Sequence, residues 1–194
     1  MTGLTMDLFE NLAEDHAVID RTLDAFERMV NRVERDEATN REDLTGFITF
    51  FEDFADITHH DKEEEILMPA LVDAGYDWYD GPAARLRREH RHERYLLRSL
   101  RDVALHGVTP GSARAAHFAS VARTFVEFVR QHIRRESIEL FPAAQSKLSP
   151  DGLQKLGREL ERFNAELRQR VDLPKLLELS AALCERYPED STRS

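Results

Sequence analysis

Apolar residues recur every three or four positions along most of the chain, and this rhythm predicts amphipathic helices almost throughout. From about residue 6 to 35, Leu8, Leu12, Ile19, Leu23, Phe26, Val30 and Val33 form one stripe, with a single gap that His16 fills. A second helix is predicted over about 42–72, with Phe47, Phe51, Ala55, Ile66 and Ala70 inward, and a third over about 83–106, striped by Leu86, Leu97, Leu100 and Ala104. The fourth, about 112–147, carries Phe118, Ala122, Phe125 and Val129. Gly, Pro and Ser clusters at 74–82, 107–112 and 149–152 supply the breaks. Two shorter helices follow at about 152–170 and 174–187, then a polar tail, 188–194, expected to be unstructured. No strand-like alternation appears. Short connections make neighbouring helices antiparallel, so the pattern predicts an all-α fold: an up-down four-helix bundle over residues 1–148 with a C-terminal helical extension over 149–194. The extension carries no chemical motif. Its apolar stripes are read as packing, as a homodimer contact or as a surface for a protein partner.

Composition narrows the functional classes. The 194 residues hold 27 Lys and Arg against 37 Asp and Glu, a formal charge of −10 that disfavours nucleic acid and anionic membranes as partners. The lone Cys184 excludes an internal disulfide and any cysteine-ligated zinc or iron–sulfur site. With no signal-like start and no run of about 18 apolar residues, a cytoplasmic location is the expectation.

Candidate chemistry lies in a repeat. HHDKEEEILMP, His59 to Pro69, and HIRRESIELFP, His132 to Pro142, share the template H-x3-E-x3-L-[MF]-P. Even the looser pattern H-x3-E-x5-P arises twice by accident in only about one in a thousand chains of this length. The first offers both His59 with Glu63 and His60 with Glu64, but only the first pair gives Pro69 the position that Pro142 holds. An i, i+4 spacing puts imidazole and carboxylate on one helix face. His59 and Glu63 continue the row of Phe51 and Ala55, and His132 and Glu136 that of Phe125 and Val129, so both pairs point into the bundle. His16 and His90 fill gaps in the stripes of the first and third helices. Inward Glu residues without partners would cost several kcal/mol each or take up protons, and a metal removes that cost. Glu93, three residues after His90, is a candidate further ligand or outer acceptor. His60, Glu64, Glu65 and His92 are expected at a solvated rim, and His106 and His117 outside the layer, with His106 in a turn.

A helix with a single His, H-x3-E before Leu-Met-Pro, GPAARLRREH leading to His90, and H-x3-E before Leu-Phe-Pro together resemble the hemerythrin-like family, the HHE cation-binding domains. The resemblance covers about residues 5–145. It implies His16, His59, Glu63, His90, His132 and Glu136 as ligands to two non-haem iron ions, oxo- or hydroxo-bridged, with each Glu bridging both. Zinc and manganese rank behind iron. Oxygen-carrying members place H-x3-H on the third helix, whereas here Arg94 stands four after His90 and cannot ligate. About ten of twelve coordination positions are then filled, leaving openings at both irons. The resemblance therefore implies a di-iron protein that binds and reacts with a small molecule, oxygen, peroxide or nitric oxide, with an oxidoreductase as the enzyme class to expect. Its alternative is a sensor of oxygen, nitric oxide or iron that signals to a partner without turnover.

Overall fold

The computed structural model describes residues 7–189, so the predicted first residue of the opening helix and residues 190–194 of the tail lie outside it. The described residues form six helices and no strand. Helix α1 is Leu8–Glu34, capped by the Asp7 carboxylate, which accepts from the Phe9 amide. Helix α2 runs over 41–73 behind Asn40, whose side chain accepts from the amide of Glu42. Helix α3 is Pro82–His106, with proline in its first turn, and α4 runs over 113–147 behind the Ser112 cap. Helices α5, Pro150–Leu167, and α6, Leu173–Arg186, begin at Ser149 and Asp172. His106 closes α3 as its last residue instead of lying in a turn.

Helices α2 and α4 are not α-helical throughout. Phe51–His60 and Glu63–Leu67 of α2, and Glu136–Leu140 of α4, are wound as π-helix. The wider turn rotates the chain less per residue than an α-helix. Phe50 and Phe54 are buried beside Phe47 and Phe51 at ordinary three- and four-residue spacing, and further along the π winding lets the adjacent His59 and His60 both be buried.

Helix α1 packs against α2 and α4, and α3 packs against the same two. Ion pairs fix the antiparallel sense. Arg123 and Arg130 of α4 meet Glu34 and Asp24 of α1, while Arg94 and Arg101 of α3 meet Asp56 and Glu52 of α2. The apolar interior falls into two clusters. One gathers Phe26, Phe47, Phe51, Phe118 and Phe125; the other gathers Leu12, Leu67, Met68, Leu86 and Phe141. Between them lies a layer of buried imidazoles and carboxylates.

The C-terminal helices lay their stripes on the bundle. Leu156, Leu160, Phe163 and Leu167 of α5 join the second cluster, and Leu176 and Leu183 of α6 join the first. Gly46 makes room for α6, since a Cβ there would stand 3.3 Å from Leu179 Cδ1. Beyond α6, buried Tyr187 donates its hydroxyl to Asp43 at 3.1 Å.

This packing sets a contrast. Leu160 is fully buried and Leu177 is 41% exposed. Leu160→Ala should cost about 2–5 kcal/mol of unfolding free energy. Leu177→Ala should change it by no more than about 0.5 kcal/mol, both read from urea denaturation midpoints.

Candidate metal centre

All six residues singled out by the repeat and the gap-filling histidines meet in the polar layer, none more than 4% exposed. They form two sets that share a carboxylate. His16, His59 and Glu136 make one, and Glu63, His90, His132 and Glu136 the other, with the donor atoms of each set within 4.8 Å of one another. Glu136 spans the two, with Oε2 3.1 Å from Nε2 of His16 and Oε1 3.0 Å from Nε2 of His132. Glu63 does the same from the opposite helix, its Oε2 3.2 Å from Nε2 of His90 and 4.0 Å from Nε2 of His59. Each carboxylate therefore faces one imidazole of each set. The Nε2 atoms of His16 and His59 are only 3.0 Å apart, aimed at a common point.

The sequence repeat is also a backbone repeat. In both segments the Glu opens a five-residue π stretch, with the amide of Met68 or Phe141 bonded to the carbonyl five residues back, Glu63 or Glu136. A proline follows each stretch, Pro69 and Pro142. A proline ring collides with the carbonyl four residues earlier and donates no hydrogen bond, and the wide turn relieves that collision without ending the helix. Thr58 supports the longer stretch in α2, donating its hydroxyl to the carbonyl of Asp53, five residues back.

Around the layer, each of these imidazoles is held from behind at Nδ1. Asp15 Oδ2 lies 3.3 Å from Nδ1 of His59, Glu64 Oε1 2.8 Å from that of His90, and Glu89 Oε2 2.9 Å from that of His132. The Ser137 hydroxyl stands 3.3 Å from Nδ1 of His16. The carboxylates are anchored in turn: Asp15 by Lys62 at 2.6 Å, Glu64 by Arg94 at 2.9 Å, and Glu89 by Arg135 and Arg85 at 2.8 and 2.9 Å. An imidazole that donates Nδ1–H outward presents the lone pair of Nε2 inward, the tautomer a metal takes.

The inward Nε2 atoms of His16 and His59 meet each other, but the atoms around them have no hydrogen bond. Both oxygens of Glu63, both of Glu136, and Nε2 of His90 and of His132 make no hydrogen bond. Burial, and then the charge of Glu136 beside it, pushes the Glu63 carboxyl well above the usual range. Burial holds His59 and His90 well below the ordinary imidazole value, with neighbouring imidazoles adding to the shift. Burial also opposes charge on His132, but the Glu136 carboxylate and the bond to Glu89 outweigh it and raise that group to about 9. Orphaned carboxylates and imidazole lone pairs at such spacing suit cations, which satisfy both at once. The residues present fit a bound metal.

The structure corrects the expected rim. His60 is buried, its ring stacked on His90 at 3.9 Å, instead of solvated. Glu64 is half-buried and serves His90, while Glu65 and His92 are exposed as expected. Lys62, in the charge run read as a solvated face, is buried on Asp15 and Asn11. Glu93 is buried too, with neither oxygen hydrogen-bonded. The adjacent histidines were the signal for His60, but a 3.6-residue period turns the second of them outward. Only the π winding brings both inside. Arg94 is no ligand, yet it clamps Glu64 and Asp56 behind the imidazoles.

A buried carboxylate facing another carboxylate opposes folding when no cation is bound. Glu63→Gln should therefore stabilise the metal-free protein by about 1–3 kcal/mol in urea denaturation while reducing the metal it retains. A loss of metal-free stability would contradict this account of the layer.

No curated protein and no solved structure gives a significant match to this chain. The model of one family, the hemerythrin HHE cation-binding domain, matches residues 7–144, and that span includes α1 to α3, nearly all of α4 and every residue of the buried layer. The chain thus belongs to the hemerythrin HHE family and is a cation-binding domain.

Proposed function

We propose that this protein is a non-haem di-iron protein that binds and reacts with a small molecule, oxygen, peroxide or nitric oxide, at a carboxylate-bridged pair of cations. The observation that carries the reading is that Glu63 and Glu136 each face an imidazole of both sets, as two ligands shared between two cations would. His16 and His59 would hold one cation, His90 and His132 the other. Iron suits a site of imidazoles and carboxylates without thiolate, with zinc and manganese behind it. A bound iron pair supplies the electrons and the exchangeable positions that the polypeptide lacks.

The chain's own part is to hold, shield and admit. Glu89, Glu64 and Asp15 fix the imidazoles from outside, so the inward geometry is set before the metal arrives. Phe141 stacks on His16 with ring centroids 5.5 Å apart and closes that side to water. A cleft of about 420 Å³ between the start of α3 and the π turn of α4 reaches Glu136 past Leu86 and Leu140. Apart from Glu136, whose charge a bound cation would offset, Arg85, Arg88 and Arg135 at its walls are matched by Asp80, Glu89 and Glu139. A passage without excess positive charge to gather anions suits an uncharged diatomic or hydrogen peroxide.

Metal analysis and optical spectra test this reading. Iron-loaded protein should hold about two irons per chain and show near-ultraviolet charge-transfer bands that change on adding peroxide or nitric oxide. His132→Ala and Glu136→Ala should each lower the iron content. Well under two irons with no such bands in the unsubstituted protein would overturn the proposal. Removing the metal with a chelator should lower the melting temperature, because a ligand at about 100 times its Kd contributes about 2.7 kcal/mol to the folded state.

A further inference from the structure

Resting on that two-cation reading, we propose that His60 is a further metal ligand, the third imidazole of the His90 and His132 set, so that the two cation positions are chemically unequal. His60 is 2% exposed. Its ring lies nearly parallel to that of His90, 16° apart at 3.9 Å, and edge-on to that of His132 at 5.5 Å. One nitrogen from each of the three lies within 4.8 Å of the others. His59 and His60 are neighbours in sequence, but the π winding sends the first ring toward His16 and the second toward His90.

Two further contacts separate a ligand from an ordinary buried histidine. Behind the ring, Oδ1 of Asp56 stands 3.4 Å from Nδ1, at ion-pair distance without a hydrogen bond, and Arg94 anchors Asp56 at 2.6 Å; an anchored carboxylate thus lies behind this ring as behind those of His59, His90 and His132. In front, Nε2 is 3.7 Å from Oε2 of Glu93, beyond hydrogen-bonding distance, and both Glu93 oxygens lack a hydrogen bond. A purely structural histidine at this depth would use both nitrogens on protein partners. His60 leaves Nδ1 without a hydrogen bond, and its Nε2 faces the layer beside the unpaired Glu93 carboxylate.

The consequence is an uneven pair. Counting the two shared Glu residues, the His90 side receives five protein donors and the His16 side four. Exchangeable positions would then concentrate beside His16 and His59, the side shielded by the Phe141 ring. Arg94 stands where a second third-helix histidine would be; the missing imidazole is supplied from α2, and Arg94 holds the carboxylate behind it.

Proton NMR of the full chain loaded with cobalt(II) counts the bound imidazoles directly, since each histidine ligated through Nε2 contributes one exchangeable, strongly shifted N–H signal. Five such signals are expected in the unsubstituted protein and four in His60→Asn, with one of the two cobalt sites weakened at least about tenfold. Four signals in the unsubstituted protein would overturn the assignment of His60 while leaving the two-cation reading intact. Protein that retains no cobalt and shows no shifted N–H would overturn that reading and this one with it. The count in the unsubstituted protein decides the matter even if His60→Asn fails to fold, and His60→Gln provides a second substitution.

Discussion

Everything in this structure is arranged around two carboxylates that the fold buries without giving them protein partners. Glu63 and Glu136 sit between two apolar clusters, and all four of their oxygens lack a hydrogen bond. Taking an ionised carboxylate out of water costs several kcal/mol even after relaxation, so the polypeptide alone is poorly served by this layer. The clusters on either side carry the stability that lets it persist. Phe26, Phe47, Phe51, Phe118 and Phe125 pack at edge and tilted angles on one side, and α5 completes the other with Leu156, Leu160 and Phe163. The C-terminal helices, which carry no ligand, contribute by enlarging the apolar mass that holds the polar layer in place.

The backbone is adapted to the same end. A regular α-helix turns adjacent residues about 100° apart, yet α2 must present both His59 and His60, with Glu63, on its interior face. Its π winding widens that face, and the two prolines that follow the H-x3-E segments make the wide turn the less costly path. Sequence repeat, backbone distortion and ligand placement are thus one device used twice.

Outside the layer runs a second ring of charge. Lys62, Arg94, Arg85 and Arg135 neutralise the carboxylates that brace the imidazoles. The brace fixes which nitrogen carries the proton, and so which one is offered to a metal. Arg94 belongs to this ring, which gives the departure from the H-x3-H pattern a structural role.

The sequence by itself determined the helices, their order and the six inward residues, because each rests on a local period or spacing. The stripes of α1 and α3 show their gaps at His16 and His90, and the H-x3-E repeat marks its Pro-aligned pair in each of α2 and α4. The rest was decided in three dimensions. His60 falls off the apolar row of an ideal α-helix, and the π turns bring it inside, while Lys62 is buried because Asp15 and Asn11 of another helix receive its ammonium. The braces on the imidazoles join residues as distant as Asp15 and His59 or Glu89 and His132, which no period connects. Local spacing records what one helix requires of itself; which side chains complete the layer depends on where the other helices lie.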